Sequence, residues 1–171
     1  MGRLSLLLLL LASVPAQAGL SEIRLGVFDH DIGFLGHDKE GGADINAEAL
    51  FDSPDFLKAI WAPRPHMGAS VNTQGDTSQL YAGLTWTYEP IQKVFMDFSF
   101  GGSVHNGELN TREMDRKSLG SRVLFRESLS LGYRIDDHHS VSIAFDHESN
   151  ANLASHNAGL NNLGIRWGYR F

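Results

Sequence analysis

The sequence predicts an all-β fold, an eight-stranded antiparallel transmembrane β-barrel. Three observations lead to this fold class. Eight segments alternate apolar and polar side chains with the period of two that is typical of strands with one apolar face. The last segment ends the chain with Trp167, Tyr169 and Phe171 on one face. No apolar run in the mature sequence is long enough for a membrane-spanning helix.

The N-terminus has the features of a secretory signal peptide. Arg3 precedes a leucine-rich stretch, and residues 16–18 (Ala-Gln-Ala) resemble a cleavage site. We therefore predict a signal peptide at 1–18 and one barrel domain at 19–171. Cleavage removes one of the 14 basic side chains, which leaves 13 against 20 acidic ones, so a nucleic-acid partner is not expected. The absence of cysteine excludes disulfides and thiolate metal sites.

The alternating segments justify eight strands in order along the chain. They are 22–27, 44–49, 66–72, 79–88, 94–101, 122–135, 141–146 and 163–171. An even strand number brings both ends of the chain to the periplasmic side, so the links after the second, fourth and sixth strands are periplasmic. The longer stretches lie on the outer side, at 33–43, 102–118 and 150–160.

Two further features belong to this barrel prediction. Charged residues on the faces away from lipid predict a salt-bridged interior, made of Arg122, Arg126, Arg134, Arg166, Arg170, Glu22, Glu48 and Asp97. The segment 54–62 has apolar residues at helical spacing and predicts a short helical turn at the membrane interface.

Polar residues interrupt the lipid-facing side of the seventh strand near its outer end. The apolar series that ends at Phe145 continues to His147 and Ser149, and Asn161 has the same parity on the eighth strand. Hydrocarbon offers such groups no hydrogen-bond partner, so their position needs an explanation. A hydroxyl beside an imidazole can supply a nucleophile and its general base. Taken alone, a His-x-Ser pair is a weak signal, because most such pairs are chance pairs at a strand end.

These residues resemble the lipid A 3-O-deacylases of the PagL type, outer-membrane barrels that hydrolyse an ester-linked acyl chain of lipopolysaccharide. The resemblance is carried by 147–151 (His-Glu-Ser-Asn-Ala), 157–159 (Asn-Ala-Gly) and 164–171 (Gly-Ile-Arg-Trp-Gly-Tyr-Arg-Phe), and by the general plan of the chain, including 64–86.

The resemblance implies a role for each matching residue. Ser149 would be the nucleophile and His147 the base. Asn150 and Asn157, with nearby backbone amides, would be candidates for the oxyanion hole. The chain departs from the family pattern at Asn161, where the family has the Glu of its triad, and at Ala158, where the family usually has Pro. Asn161 can orient an imidazole but cannot stabilise its positive charge.

Glu127 is the one carboxylate on the lipid-facing side of the sixth strand. A charge on that face is costly, so Glu127 needs a reason. Parity allows two registers, in which Glu127 lies opposite either Ser149 or His147. We expect Glu127 to take the acid role, with Asn161 as a secondary orienter; a rim glutamate without a partner is the alternative.

Two functions follow from the sequence and the resemblance. The first is an outer-membrane esterase that removes the 3-O-linked 3-hydroxyacyl chain of lipid A, with lipopolysaccharide as substrate and membrane lipid as surroundings. The second is a non-catalytic barrel of the same family with a structural or interaction role, which Asn161 favours. No cofactor or metal site is predicted, and a homodimer is left open.

Overall fold

The computed structural model describes residues 19–33 and 37–171 and shows a closed barrel of eight antiparallel strands. The predicted fold class is confirmed, and every predicted segment overlaps a strand. The predicted signal peptide, 1–18, lies outside the described residues. The strands are β1 (Leu20–Asp29), β2 (Ala43–Phe51), β3 (Arg64–Asn72), β4 (Gln79–Ile91), β5 (Val94–His105), β6 (Val123–Arg134), β7 (His139–Ser149) and β8 (Leu160–Arg170).

Pairing of β1 with β8 closes the barrel. Leu25 lies opposite Trp167 in this pair, and each other strand pairs with its neighbours in the chain. Closure gives the strand backbones hydrogen-bond partners that hydrocarbon cannot supply. The loops after β1, β3, β5 and β7 share one end of the barrel, which we call the outer rim; they are 30–42, 73–78, 106–122 and 150–159.

Alternation sends apolar side chains to the outer wall and charged ones to the interior. Inside, Arg24 lies 2.7 Å from Glu22 and 2.8 Å from Asp97. Arg126 lies 2.7 Å from Asp146. A buried charge is tolerated only when it is paired and hydrogen-bonded, and these ion pairs meet that condition. The predicted salt-bridged interior is confirmed for its central members.

Arg122 is a correction to the predicted interior. It is exposed, and its guanidinium donates to the carbonyls of His105 and Gly107, both at 2.9 Å. The reason is that β6 begins only at Val123, so the alternation does not extend to Arg122.

Phe95 interrupts the alternation of β5 for a reason visible in the structure. It faces the interior, because Gly132 on β6 lies directly opposite and leaves room for its ring.

The predicted helical turn between β2 and β3 is present as a 3-10 helix, Asp55–Ile60. Phe56 is 68% exposed and Trp61 87% exposed. The indole N–H of Trp86, on the outer wall of β4, donates to the carbonyl of Ile60 at 2.8 Å. This bond holds the segment against the outer wall. No helix in the described part of the chain is long and apolar enough to cross a membrane.

A buried His30–Glu40 pair connects three outer loops. His30 Nδ1 lies 2.9 Å from Asp44, and His30 Nε2 lies 3.2 Å from Glu40. The Glu40 carboxylate also accepts the backbone N–H groups of Thr77, at 3.2 Å, and Lys117, at 3.0 Å. Glu40 therefore connects the first outer loop to the second and third.

The same contacts shift two pKa values in opposite directions. Burial disfavours a charged His30, but hydrogen bonds to Asp44 and Glu40 outweigh it and raise the pKa of His30 to about 9. Burial likewise disfavours a charged Glu40, but hydrogen bonds from His30 and Thr77 outweigh it and lower the pKa of Glu40 to about 2.

We predict that the first outer loop loosens in alkaline solution. The pKa of His30 rises from 6.5 to about 9 on folding, so its contribution to stability is complete below pH 6.5 and is lost as the pH rises through 9. A shift of this size corresponds to on the order of 3 kcal/mol. Hydrogen exchange of residues 37–44, corrected for the intrinsic effect of pH, should show protection falling across that interval.

The control variants separate His30 from the rest of the loop. His30→Gln should remove the alkaline loss, whereas His37→Gln, at an exposed position of the same loop, should keep it. The Glu40 contribution is present above pH 4.5 and is lost as the pH falls through about 2. Wild-type protection that does not change between pH 6.5 and 9 would contradict the assignment.

We also predict that the 3-10 segment rests in the membrane interface through Phe56 and Trp61, since aromatic side chains favour that region. The chain has no cysteine, so a nitroxide on one introduced cysteine reports a single position. In phosphatidylethanolamine–phosphatidylglycerol vesicles, Phe56→Cys and Trp61→Cys should show a severalfold higher ratio of oxygen to nickel-complex collisions than Lys58→Cys. Equal ratios at the three positions would refute the interfacial placement.

Candidate active site

His147 and Ser149 lie at the outer end of β7, on the lipid-facing side. Their neighbours Asp146, Glu148 and Asn150 are buried, whereas His147 and Ser149 are both partly exposed. The predicted outward direction of the pair is therefore confirmed. Two residues of strand separate their Cα atoms by about 6 to 7 Å, which allows contact between side chains that lean together.

Asn161 holds the imidazole of His147 from the neighbouring strand. The two residues are directly paired between β7 and β8, and His147 Nδ1 lies 2.6 Å from Asn161 Oδ1. Because an amide oxygen only accepts, Nδ1 carries the hydrogen and donates it. In the neutral ring this leaves the lone pair on Nε2, the form that a general base needs.

Asn161 is buried and hydrogen-bonded to the first outer loop. It is 0% exposed, and its backbone carbonyl accepts the backbone N–H of Ile32 at 2.7 Å. Its Nδ2 has no hydrogen-bond partner among the described residues. Asn161 thus has the orienting position that the sequence analysis gave it only as a secondary role.

Glu127 lies directly opposite His147 on the other side, across the β6–β7 pair. Of the two registers that parity allows, this is the second. The turn fixes the register, because the Asp136 carboxylate accepts the backbone N–H groups of His138 and His139 at 2.9 and 2.7 Å. Ile135 then pairs with His139 through a 2.8 Å hydrogen bond.

The Glu127 carboxylate has one buried oxygen, Oε2, without a hydrogen-bond partner among the described residues. The Nδ1 atom of His147 is occupied by Asn161. Glu127 therefore flanks the imidazole without taking the position of Asn161.

Asn150 and Asn157 shape the loop that follows Ser149. The backbone N–H of Asn150 donates to Asn157 Oδ1 at 2.8 Å. Asn150 Nδ2 donates to the carbonyls of Leu119 and His156, at 2.9 and 2.6 Å. Asn157 Nδ2 donates to Asn152 Oδ1 at 3.1 Å in an exposed bond. The amide hydrogens of Asn150 are thus committed to the loop, and those of Asn157 are more easily released.

The backbone after Asn150 also turns sharply. Ala151 and Asn152 both have left-handed conformations, with φ of 52° and 60°. Successive backbone N–H groups at such turns can point in one direction and form a concave site for an anion.

Gly159 and Lys117 complete the surroundings of the pair, and the sequence analysis assigned neither of them a role. A Cβ on residue 159 would lie 3.1 Å from Cε1 of His147 and 3.8 Å from Cβ of Ser149. Lys117 Nζ donates to the Gly159 carbonyl at 2.6 Å. The segment 157–159 carried a signal for Gly159, but a lysine in an outer loop has no pattern that would reveal its contacts.

No group of three or more His, Asp or Glu side chains is arranged to hold a metal ion within the described residues. The chemistry that this arrangement supports is that of a hydroxyl nucleophile with an oriented imidazole base.

Comparison with known proteins also indicates a hydrolase family. A sequence profile of the PagL family, lipid A 3-O-deacylase, matches residues 57–170, which include all the candidate site residues. No curated protein sequence matches the chain.

Solved structures support the fold. The crystal structure of the outer membrane enzyme PagL is 18% identical and has a TM-score of 0.68, with 88% of this chain and 100% of that chain covered. Neisserial surface protein A (NspA) is 8% identical and has a TM-score of 0.60, with coverages of 88% and 96%. A de novo designed transmembrane β-barrel is 12% identical and has a TM-score of 0.58, with coverages of 91% and 98%.

At these identities the structural matches establish the fold alone, whereas the profile match spans most of the chain. The chain belongs to the lipid A 3-O-deacylase (PagL) family and is an eight-stranded barrel of the outer membrane.

Proposed function

We propose that the protein is an esterase of the outer membrane that removes the ester-linked 3-hydroxyacyl chain at the 3-O position of lipid A. The observation that carries this proposal is the imidazole of His147, which Asn161 holds at 2.6 Å and which lies two residues from Ser149 on the same face of β7. Hydrocarbon offers such polar groups no hydrogen-bond partner, so their place on the lipid-facing wall supports a functional role.

The position of the site fits a lipid substrate. Ser149 is the last residue of β7 and lies at the outer rim, where headgroups of the outer leaflet meet the acyl chains. Lipid A places its ester bonds at this level, so the bond can reach Ser149 sideways from the membrane. The released 3-hydroxy fatty acid can leave by the same route.

The proposed reaction proceeds in two halves. Ser149 Oγ attacks the ester carbonyl while His147 Nε2 accepts its proton, and His147 then gives that proton to the departing 3-hydroxyl oxygen of lipid A. Water, activated by His147, attacks the acyl-serine and releases the 3-hydroxy fatty acid. Ser149 recovers its proton, and the enzyme returns to its starting state.

Donors for the developing oxyanion come from the loop after Ser149. We assign this role to Asn157 Nδ2, whose exposed bond to Asn152 can be exchanged for a bond to substrate, and to the backbone amides at the left-handed turn of Ala151. Asn150 supports them by holding the loop to Leu119 and His156.

The charge that Asn161 lacks is supplied from the opposite side. When His147 becomes an imidazolium, the neutral amide of Asn161 orients the ring without balancing its charge. Glu127 lies directly opposite, and paired residues in antiparallel strands have Cβ atoms about 4.5 to 5.5 Å apart. A carboxylate on this side of the ring stabilises the imidazolium more strongly in a wall that excludes water than it would in water.

The alternative is a non-catalytic barrel of the same family, and the neutral Asn161 favours it. The esterase proposal places all reacting groups on one chain and therefore does not depend on a homodimer.

We predict that Ser149→Ala and His147→Ala each reduce release of 3-hydroxy fatty acid from lipopolysaccharide by at least about a thousandfold, because nucleophile and base act as one unit. Both side chains lie at the rim, so the heat-dependent electrophoretic mobility of the folded barrel should not change. Ser155→Ala, in the same loop, is the matched control and should keep full activity. Near wild-type turnover by Ser149→Ala would eliminate the nucleophile assignment.

We further predict that charge and orientation separate between Glu127 and Asn161. Glu127→Gln keeps the shape of the side chain but removes its charge, so it should lower kcat more than it raises KM. Asn161→Asp should raise kcat in the Glu127→Gln background, because it restores a carboxylate on the other side of the ring. The measurement is kcat and KM for the two single variants and the double variant. Full activity in Glu127→Gln would sink the charge-compensation role.

A further inference from the structure

Lys117 is a buried ammonium group in the third outer loop. Its side chain is 3% exposed and forms an ion pair with Asp31 of the first outer loop. Nζ also donates to the carbonyl of Gly159 at 2.6 Å, and the backbone N–H donates to Glu40 at 3.0 Å. Separating Lys117 from Asp31 would leave a buried charge without a partner, which is strongly unfavourable. The contacts of Lys117 therefore hold the first, third and fourth outer loops together.

Asp31 connects the same ion pair to the start of β8. Its backbone N–H donates to Asn162 Oδ1 at 2.9 Å, and its Oδ2 accepts the backbone N–H of Lys39 at 2.8 Å. The next residue, Ile32, donates its N–H to the carbonyl of Asn161 at 2.7 Å. The left-handed backbone of Asp31, with φ of 54°, turns the loop so that these bonds form together.

Gly159 and Asn161, which these contacts hold in place, both lie next to the His147 ring. Gly159 approaches Cε1 closely enough that a Cβ on residue 159 would lie 3.1 Å away. Asn161 Oδ1 lies 2.6 Å from Nδ1. Lys117 is hydrogen-bonded to Gly159. Asp31 is hydrogen-bonded to Asn162, and Ile32 is hydrogen-bonded to Asn161.

We propose that the buried Asp31–Lys117 ion pair positions the imidazole of His147 by fixing Gly159 and Asn161 against it. Neither residue touches the substrate or the reacting atoms, so both are positioning residues. The inference rests on the proposed function for its kinetic consequences, but the orientation of the ring can be measured without any substrate.

The kinetic test uses Lys117→Met, which keeps the length of the side chain and removes its charge. We expect kcat for release of 3-hydroxy fatty acid to fall at least about tenfold, because a small displacement of a catalytic group has a large effect on rate. KM should change little, since no contact with substrate is lost. Asp31→Asn should behave alike, and the double variant should lose no more than either single variant, because both remove the same ion pair.

The second readout is the nitrogen-bound proton of His147. In histidine-labelled protein in detergent, the hydrogen-bonded Nδ1–H should give a slowly exchanging proton signal that is absent in His147→Gln. Lys117→Met should weaken or abolish this signal, whereas Lys117→Arg, which keeps the positive charge, should retain it.

Arg116→Met is the matched control. Arg116 precedes Lys117 and forms an ion pair with Asp76 at 2.6 Å, but this pair is partly exposed and does not reach the site. It should leave both kcat and the Nδ1–H signal unchanged.

Three results would overturn the proposal. They are an unchanged signal with unchanged kcat in Lys117→Met, an equal loss in Arg116→Met, and a double variant whose losses multiply. If the wild type releases no fatty acid but its Nδ1–H signal is lost in Lys117→Met, the proposed function fails and the positioning role stands.

Discussion

The rest of this structure depends on one constraint: in a closed β-barrel, successive side chains of each strand alternate between lipid and the interior. Closure through β1 and β8 gives strand backbones hydrogen-bond partners within hydrocarbon. It also fixes, for every strand residue, whether its side chain faces lipid or the interior. The charged interior around Arg126 and Asp146 and the polar pair His147 and Ser149 on the wall follow from that one alternation.

Much of the fold could be predicted because alternation is a local property of the sequence. The eight strands, their lipid-facing sides and the outward direction of His147 and Ser149 all come from parity. Parity could not decide between registers that differ by two residues, so it left Glu127 opposite either His147 or Ser149. The register is set by the Asp136 carboxylate, which accepts N–H groups of the turn. The alternation of apolar and polar residues does not predict this turn geometry.

The loops mark the limit of sequence reasoning for the candidate site. The backbone carbonyl of Asn161 is hydrogen-bonded to Ile32, and that of Gly159 is hydrogen-bonded to Lys117, more than 40 residues away. Neither contact has a periodic signal. Arg122 shows a related limit at a strand end. The alternating sequence pattern includes Arg122, but β6 begins one residue later, at Val123.

In the proposed reaction, orientation of the base and compensation of its charge come from two different strands. Asn161 on β8 holds the ring of His147, and Glu127 on β6 lies opposite with a buried carboxylate oxygen. A single acid that both orients and neutralises is replaced in this account by two residues on either side of the base. We expect such an arrangement to tolerate a neutral residue at position 161 while the outer loops keep it in place.

Isotope labelling of the ester oxygens shows whether the protein hydrolyses the 3-O-linked ester of lipid A. The purified wild-type barrel is incubated with lipopolysaccharide in water enriched in oxygen-18. The masses of the lipid A and of the released fatty acid are then measured by mass spectrometry. We expect lipid A that has lost one 3-hydroxyacyl chain and keeps ordinary oxygen at its freed hydroxyl, with oxygen-18 in the carboxylate of the released acid. Lipid A of unchanged mass, or oxygen-18 in its freed hydroxyl, would contradict the proposed hydrolysis.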